Sequence, residues 1–202
     1  MKIIRFAGGP VATNIFLVAD ISTGIAAVID PAAHTERILA AAAENGFSIK
    51  KILLTHGHFD HIAEADKLSA LTGAEIFLSV PDMPMLDDET KNGSEMFLGY
   101  PIRCRSIPRP FKDGEMIPIG KESLTVLYTP GHTPGSVCFF TDDAVFTGDT
   151  VFADGFGRTD LWGGNESTLK ETLTTLLPRL ADRVIYPGHG EYGFRMNAGN
   201  NN

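Results

Sequence analysis

The feature that most constrains this chain is a set of short apolar runs that each end in a tight turn and then a histidine or an aspartate. Four such endings occur in the 202 residues: Thr55-His56-Gly57-His58, Thr129-Pro130-Gly131-His132, Thr147-Gly148-Asp149 and Pro187-Gly188-His189. The apolar runs are typical of buried strands, and glycine permits turns that bring the next side chain toward a shared point. The pattern therefore predicts four strands whose loops converge on one site, as metal binding requires.

The densest ending is the segment from His56 to His61, which holds three histidines and one aspartate. In an extended segment His56 and His58 lie on one side, because side chains repeat every two residues. If a helix begins at about Asp60, the side chains of Asp60 and His61 project from its first turn. We therefore expect two imidazoles at one ion and an Asp–His pair at a second, at the separation of about 3.5–4 Å usual in two-metal hydrolytic sites.

Three other residues with potential metal-binding side chains have plainer interpretations. His34 precedes a predicted helix and belongs to no glycine turn, so it is assigned no ligand role. Cys104 and Cys138 form no CxxC pair. They are interpreted as small buried side chains in a reducing compartment.

The charge balance and hydropathy disfavour several classes of partner. The chain has 17 Lys and Arg against 25 Asp and Glu, a net charge of −8, whereas binding to nucleic-acid phosphates needs a basic surface. No apolar run approaches the roughly 18 residues of a membrane span, and the first residues form no apolar leader segment. We expect a cytoplasmic enzyme with a small-molecule substrate and neither a membrane nor a nucleic-acid partner, and the sequence leaves the oligomeric state open.

The pattern of strands and helices favours an α+β fold. We expect one metallo-hydrolase domain over residues 1–202, because the composition shows no break. The predicted strands are Lys2–Phe6, Ile15–Ala19, Ile25–Ile29, Lys51–Leu54, Glu75–Leu78, Leu124–Tyr128, Val137–Phe140, Ala144–Phe146 and Val184–Tyr186. The predicted helices are Thr35–Glu44, Ile62–Leu71 and Glu166–Leu177, with short helical turns over 81–101. Two packed sheets flanked by helices suit this order better than a βα barrel.

These motifs resemble those of the metallo-β-lactamase-fold hydrolase superfamily. The matching segments are THGHFDH at 55–61, TPGHTPGS at 129–136, FTGDT at 146–150 and PGHG at 187–190. The resemblance covers nearly the whole chain and implies a four-layer αβ/βα sandwich with the metal site at one edge of the two sheets. It also implies two sets of ligands joined by a bridging carboxylate: His56, His58 and His132; Asp60, His61 and His189; and Asp149 as the bridge.

Particular residues place the chain within that superfamily. Common zinc β-lactamases carry a cysteine at the position of Asp149, and flavodiiron proteins generally carry a glutamate at the position of His58. The segment DTVFADGFGRTD, residues 149–160, is instead similar to the glyoxalase II and persulfide dioxygenase branch, where Arg158 matches a basic residue that contacts the substrate. A plainer reading of Arg158 is an arginine that braces its own loop.

The end of the chain indicates a short form of glyoxalase II. Classical glyoxalase II continues after the last histidine into a helical domain that helps to bind glutathione. This sequence has 13 residues after His189, and its tail, Tyr192–Asn202, is polar and rich in Gly and Asn. We therefore expect a protein similar to the short, single-domain glyoxalase II-like (hydroxyacylglutathione hydrolase-like) proteins.

The resemblance and the ligand chemistry together predict a binuclear hydrolase of thioesters such as S-lactoylglutathione. A bound divalent ion lowers the pKa of its water from 15.7 toward about 7, and two ions would share the resulting hydroxide. Zinc is the expected ion, with iron or manganese as alternatives. Asp60 and Asp149 are the predicted catalytic residues: Asp60 is first a ligand and also orients the hydroxide, and Asp149 is the bridging ligand. A thiolate leaves with little help, because the thiol pKa is about 8.5.

Three alternatives stay open at this point. A mononuclear iron persulfide dioxygenase would use His56, His132 and Asp149, since two histidines and one carboxylate suit iron(II) and dioxygen. A metal-dependent lactone or phosphodiester hydrolase would use the same ligands on another electrophile. A non-catalytic metal-binding module would need a closed coordination sphere, whereas seven ligands for two ions leave room for water.

Overall fold

Two β-sheets pack face to face, and helices cover the outer face of each. The structure is a computed structural model and describes residues 1–196; the end of the predicted polar tail, 197–202, lies outside the described residues. The first sheet consists of six strands: β1 (Lys2–Gly8), β2 (Thr13–Ala19), β3 (Ile25–Ile29), β4 (Ser48–Leu53), β5 (Glu75–Leu78) and β6 (Arg109–Pro110). Their spatial order follows the chain, with β1 to β3 antiparallel and β3 to β6 parallel.

The second sheet is built from the carboxyl-terminal half of the chain. Its strands are β7 (Met116–Ile119), β8 (Glu122–Tyr128), β9 (Val137–Phe140), β10 (Ala144–Gly148) and β13 (Val184–Pro187), and a small hairpin of β11 (Val151–Phe152) and β12 (Gly155–Phe156) follows β10. The spatial order is β13-β10-β9-β8-β7. Only the pair β10–β13 is parallel among these neighbours.

The helices lie between strands and after them. They are α1 (Thr35–Glu44), α2 (Phe59–Ile62), α3 (Ala65–Thr72), a 3₁₀ helix (Val80–Met85), α4 (Ser94–Leu98) and α5 (Glu166–Leu180). None of the helices within residues 1–196 is long and apolar enough to cross a membrane.

Three apolar clusters separate the layers. In β2, Ile15 and Leu17 pack on the side of α1 and α3, whereas Phe16 and Val18 face the second sheet, because successive strand residues point to opposite faces. A third cluster, which includes Leu176, lies between the second sheet and α5. The resulting order of helices, sheet, sheet and helix confirms the predicted α+β, four-layer αβ/βα sandwich.

Strand direction brings the ends of both sheets to one edge. The carboxyl ends of β3 and β4 lie together because these strands are parallel. In the second sheet β8 and β10 run the same way, since each is antiparallel to β9, and β13 is parallel to β10. The two edges are joined where the Val137 N–H donates to the Thr55 carbonyl at 2.9 Å. The loops after β4, β8, β10 and β13 therefore converge, as the sequence predicted.

The structure also corrects several predicted boundaries. The helix predicted over Ile62–Leu71 is two helices, α2 and α3, because the Glu64 N–H donates to the Pro31 carbonyl instead of continuing the first helix. The helix α2 begins at Phe59, one residue before the start at about Asp60 that was expected for the ligand segment, and α5 continues to Leu180, beyond the predicted end at Leu177. The strands β6, β7, β11 and β12 were not predicted individually; three of them have two residues, too few for a periodic pattern.

Candidate metal centre

The structure brings all seven predicted ligand side chains together at the shared edge of the two sheets. Their donor atoms form three overlapping groups, each with all atoms within 4.8 Å of one another: His56, His58 and His132; His56, His61 and Asp149; and Asp60, His61 and His189. We call the first group the imidazole trio and the last the mixed trio. His34 belongs to none of these groups, and its Nε2 donates to the Ala7 carbonyl at 3.0 Å.

The imidazole trio is buried, with at most 4% of each residue exposed. His56 and His58 leave the turn after β4, and His132 leaves the turn after β8. The Nδ1 of His58 lies 3.0 Å from the Nε2 of His132. Two nitrogens that each bind zinc at about 2.0–2.1 Å are at most about 4.2 Å apart, so this pair is close enough to share one ion.

The mixed trio lies nearer the solvent, and 25% of the His189 side chain is exposed. Asp60 and His61 project from the first turn of α2, and His189 follows β13. The Asp60 Oδ2 lies 3.2 Å from the Nε2 of His61 and 3.1 Å from that of His189. The same oxygen accepts a hydrogen bond from the Thr13 hydroxyl at 2.8 Å, which orients the carboxylate.

Asp149 lies between the two trios. Its Oδ1 is 3.4 Å from the Nε2 of His61, and its Oδ2 is 3.4 Å from that of His189. The Oδ2 is also 3.6 Å from the Nε2 of His132 in the imidazole trio. One carboxylate thus reaches ligands of both sets, which is the arrangement that a bridging ligand requires.

Two backbone carbonyls orient imidazoles of the predicted ligands through their Nδ1 atoms. The Nδ1 of His132 donates to the Arg158 carbonyl at 2.7 Å, and that of His189 donates to the Val11 carbonyl at 3.2 Å. Because a carbonyl only accepts, each Nδ1 carries a proton, and the Nε2 is the nitrogen of each ring that can bind a metal ion once it is unprotonated.

Asp30 orients two further imidazoles, one of them through Thr55. Its Oδ2 accepts from the Nδ1 of His61 at 2.9 Å and from the Thr55 hydroxyl at 2.7 Å. Since that hydroxyl proton is used, the Thr55 oxygen accepts from the Nδ1 of His56 at 3.0 Å. In His56 and His61, too, the Nε2 is therefore the nitrogen that can bind a metal ion once it is unprotonated.

The donor set fits divalent metal ions. Within residues 1–196, the buried side-chain atoms that lack a hydrogen-bond partner are His56 Nε2, His58 Nε2, His61 Nε2 and Asp149 Oδ1. All four belong to predicted ligands, although buried polar atoms are normally hydrogen-bonded. Imidazole and carboxylate suit zinc, iron and manganese alike, so this centre can hold metal ions without selecting one of them.

The imidazole trio favours uncharged histidines. Burial lowers the pKa of His56 well below its usual 6.5, and the neighbouring imidazoles act in the same direction. Burial and the nearby His132 lower the pKa of His58 to about 3. These two imidazoles are therefore neutral, the form that binds metal ions, throughout the physiological range.

The mixed trio favours charged groups. Burial opposes the charge of His61, but Asp60, Asp149 and Asp30 outweigh it and raise the His61 pKa well above 6.5. Burial likewise opposes the charge of His189, yet hydrogen bonds to Asp149 and Asp60 raise its pKa to about 9. The pKa values of both carboxyls, Asp60 and Asp149, lie well below 3.8, because His61 and His189 outweigh the effect of burial.

A cleft of about 230 Å³ opens onto the ligands. One side carries His58, His132, Asp149 and other members of the cluster. The lining also includes apolar side chains, which are Val11, Phe59, Phe97 and Leu161. The Phe59 and Phe97 rings stack at 5.8 Å, and Phe97 is 45% exposed. The cleft therefore places an apolar wall beside the polar cluster.

Arg158 lines the same cleft and is held in its own loop. Its Nε and one terminal nitrogen each donate to the Asp160 carboxylate at 2.7 Å, and its guanidinium lies 5.7 Å from the centre of the Phe97 ring. Both readings made from the sequence have a basis here, because the side chain braces its loop and also lines the cleft.

Sequence reasoning missed three residues that support the ligands. Asp30 follows the apolar strand β3 and so repeats the ending that identified the ligands, but without a glycine turn. Its left-handed backbone, with φ of 51°, is uncommon for a residue other than glycine. Thr13 and Asp82 carry no comparable signal, since each reaches the site only through tertiary contacts.

Comparison with known proteins decides the family. The family model of the metallo-beta-lactamase superfamily matches residues 8–189. The chain belongs to this superfamily. It is a metal-dependent hydrolase by family, and the match spans all four strand endings that carry the ligands.

Curated relatives in the superfamily include hydrolases. The chain is 34% identical over 193 residues to the probable metallo-hydrolase YqgX of Bacillus subtilis, with 94% of this chain and 90% of the relative covered. It is 36% identical over 172 residues to the hydroxyacylglutathione hydrolase GloC of Haemophilus influenzae, with 83% and 81% covered. The second similarity supports the glyoxalase II-like branch.

Solved structures of the superfamily share the fold over nearly the whole chain. The BLEG-1 B3 metallo-beta-lactamase matches with a TM-score of 0.88 and 29% identity, covering 94% of this chain and 92% of that chain. TTHA1623 in a di-iron-bound form matches at 0.80 and 30%, covering 93% and 92%. ETHE1 from Myxococcus xanthus matches at 0.76 and 30%, covering 98% and 79%.

Proposed function

We propose that the chain hydrolyses thioesters and uses two divalent ions, zinc in the first instance, held by the two trios. The observation that carries the proposal is the position of Asp149, whose oxygens lie 3.4 to 3.6 Å from ligand nitrogens of both trios. A single ion would leave part of this cluster of buried donors without a partner. In this proposal the imidazole trio would hold one ion, the mixed trio would hold the other, and Asp149 would be a ligand to both.

The substrate class is supported by similarity and by leaving-group chemistry. The relative named hydroxyacylglutathione hydrolase is 36% identical to this chain, so S-lactoylglutathione is the first small molecule to test. Thioester hydrolysis also needs no strong general acid, because the thiol pKa of about 8.5 allows the thiolate to leave unprotonated.

The side chains of the centre have distinct roles in this reaction. When bound, the ions lower the pKa of water from 15.7 toward about 7 and polarise a carbonyl oxygen. Asp60 and Asp149 accept hydrogen bonds from the attacking water and orient it toward the acyl carbon. Thr13 holds Asp60 in place for this role through its hydroxyl, which donates to the carboxylate at 2.8 Å.

The size and lining of the cleft favour a small acyl group. Its volume of about 230 Å³ is below the roughly 300–1,000 Å³ of pockets for drug-sized ligands. It therefore accommodates the acyl group and the thioester, while the remainder of the thiol lies outside. Phe97 and Leu161 pack against the acyl group and keep bulk water from it. Arg158 is the candidate partner for a substrate carboxylate at the mouth, in exchange for Asp160.

The experiment that tests the proposal is a substrate panel on the zinc-loaded protein. The panel contains S-lactoylglutathione, a simple acyl thioester, an ester, a lactone, a phosphodiester and a β-lactam. We expect two equivalents of zinc by elemental analysis and the highest kcat/KM for a thioester. Full metal loading without thioester turnover would refute the proposal, and a preference for another member of the panel would reassign the substrate.

A second candidate is the mononuclear iron persulfide dioxygenase, and the similarity to the ETHE1 structure is the observation that favours it. The ligands would be His56, His132 and Asp149, of which the last two lie 3.6 Å apart at their nearest atoms. Protein loaded with one equivalent of iron would then consume dioxygen and form sulfite from a glutathione persulfide. The absence of both signals would eliminate this candidate.

A further inference from the structure

A buried carboxylate outside the ligand set joins the two loops of the imidazole trio. Asp82 lies in the 3₁₀ helix Val80–Met85 and is fully buried. Its Oδ2 accepts from the Gly57 N–H at 3.0 Å and from the Thr133 hydroxyl at 2.7 Å. Its Oδ1 accepts from the Gly135 N–H at 2.6 Å. One side chain therefore binds three donors on two separate loops.

The positions of these donors connect Asp82 to the ligands. Gly57 lies between His56 and His58, and Thr133 follows His132 directly. All three residues of the imidazole trio are thus next in sequence to a group that Asp82 holds. A displacement of either loop would change the 3.0 Å separation between the Nδ1 of His58 and the Nε2 of His132.

The packing around these loops leaves little freedom for another arrangement. A Cβ atom at Gly57 would lie 2.7 Å from the Met85 Cβ and 3.0 Å from the Asp82 carbonyl oxygen, so the first loop lies directly against the 3₁₀ helix. On the second loop the Ser79 hydroxyl donates to the Gly135 carbonyl at 2.5 Å. The 3₁₀ helix and the residue before it therefore contact both loops.

We propose that Asp82 is a positioning residue that sets the geometry, and hence the metal affinity, of the imidazole trio. This inference rests on the proposed two-ion function. The mixed trio is held by other groups, since Thr13 bonds to Asp60 and Asp30 bonds to His61. Loss of Asp82 therefore weakens one of the two sites selectively, which a general contribution to folding stability would not do.

The substitution Asp82→Asn tests this role with almost no change in shape. An amide has one acceptor oxygen and a donating NH₂ group, so in either orientation it sets the NH₂ group against an N–H donor. In a His189→Ala background, which retains the imidazole trio, we expect zinc affinity to fall about 10- to 100-fold, the usual effect of losing a partner outside the ligand set. In a His58→Ala background, which retains the mixed trio, we expect no significant change. Affinity is measured by competition with a chromophoric chelator.

Asp66→Asn is the matched control. Asp66 also accepts three hydrogen bonds, from Cys104, Arg105 and Ser106, and these tie α3 to a loop that carries no ligand. We expect it to lower thermal stability without changing zinc affinity in either background. Equal affinity in Asp82→Asn and its parent, or an equal loss in both backgrounds, would overturn the inference. Failure of the unsubstituted protein to bind two ions would instead refute the proposed function.

A second pair of variants covers the case in which Asp82→Asn does not fold. Thr133→Val removes one of the three donors to Asp82 and leaves the carboxylate in place. We expect several-fold weaker zinc binding at the imidazole trio in Thr133→Val and recovery in Thr133→Ser, which restores the hydroxyl. If both variants bind zinc like the parent, Asp82 does not position the trio.

Discussion

The two trios differ in charge, in exposure and in how their ligands are held. The imidazole trio is buried, its His56 and His58 are neutral, and its two loops are tied together by hydrogen bonds from backbone and hydroxyl groups beside the ligands. The mixed trio includes a carboxylate, has a histidine with a quarter of its side chain exposed, and combines ion pairs among its own members with hydrogen bonds to Thr13 and Asp30. The first trio is thus positioned mainly through its loops, and the second mainly through charged and polar side chains.

We infer from this difference that the two trios would bind metal ions with different free energies. An ion entering the imidazole trio would meet the neutral imidazoles of His56 and His58. An ion entering the mixed trio must displace protons from histidines that the neighbouring carboxylates hold in the charged form. We therefore expect ordered loading at neutral pH, with the imidazole trio filled first.

The largest effect is expected when the residue shared by the trios is removed. Asp149→Ala deletes the carboxylate that reaches both sets of ligands, so the second ion and nearly all turnover should be lost. The loss of kcat/KM should exceed the roughly 100-fold that follows loss of a partner outside the ligand set. Asp154→Ala, at an exposed position in the turn between β11 and β12, is the control. Unchanged metal content and rate in Asp149→Ala would contradict the bridging role.

Removal of one ligand from each trio should separate the two sites. His189→Ala should retain one tightly bound zinc at the imidazole trio, whereas His58→Ala should retain only the weaker zinc at the mixed trio. The reason is that the imidazole trio keeps all three of its histidines when His189 is removed from the mixed trio. Elemental analysis after dialysis against a weak chelator measures this difference. Identical metal retention in the two variants would remove the distinction between the trios.

The pH dependence of zinc binding should differ between the two variants just described. Protons and zinc compete for the same nitrogens, and in the metal-free protein His189 has a pKa of about 9 and His61 a raised pKa. Below pH 9 the affinity of the mixed trio should therefore fall as pH falls, by about tenfold per pH unit for each proton displaced. The imidazole trio, with a His58 pKa of about 3, should show a much flatter profile.

Calorimetry in buffers of different ionisation enthalpy gives the number of protons released per zinc ion. We expect about two from the mixed trio at neutral pH, one each from His61 and His189, and fewer from the imidazole trio, where His56 and His58 are already neutral. Equal proton release at both sites would show that the charge difference does not govern loading.

The smallest expected effect concerns Phe97 in the apolar wall, whose side chain cannot form a hydrogen bond to either trio. Phe97→Ala removes a ring that lines the cleft, and the lost apolar contact of about 1 kcal/mol should raise KM for an acyl thioester roughly fivefold with little change in kcat. Met96→Ala, at a neighbouring position that is 75% exposed and outside the cleft lining, is the matched control. A change in zinc affinity in Phe97→Ala would contradict the expectation that the apolar wall affects substrate binding and leaves metal binding unchanged.

Local sequence patterns were sufficient to predict which side chains converge. The predicted ligands lie in the loops, or in the first helical turn, that follow four apolar strands, and strand direction alone brings such endings to one edge of a sheet. The clustering of three histidines and one aspartate between His56 and His61 made a common site the simplest prediction. The layers of the sandwich followed from the same strands, together with the resemblance to the superfamily.

The supporting residues were beyond prediction because their roles depend on distant contacts. Asp82 lies in a stretch without periodicity and acts on loops 25 and 51 or more residues away. Phe97 meets the cleft only because α4 packs over Phe59. The division of the predicted helix into α2 and α3 likewise depends on a bond from Glu64 to Pro31, which no helical periodicity could reveal.

Arg158 contacts both a predicted metal ligand and the cleft, and this limits which sequence changes such a protein can accept. Its carbonyl oxygen accepts a hydrogen bond from His132, a predicted metal ligand. Its side chain lines the cleft that we propose for the acyl group. A point substitution at this position replaces the side chain and keeps the carbonyl. Substrate preference can therefore change here with little effect on metal affinity. An inserted or deleted residue beside it would move the carbonyl and misalign the imidazole. Changes in length should therefore accumulate instead around α4, where the backbone forms no hydrogen bond to an imidazole of either trio.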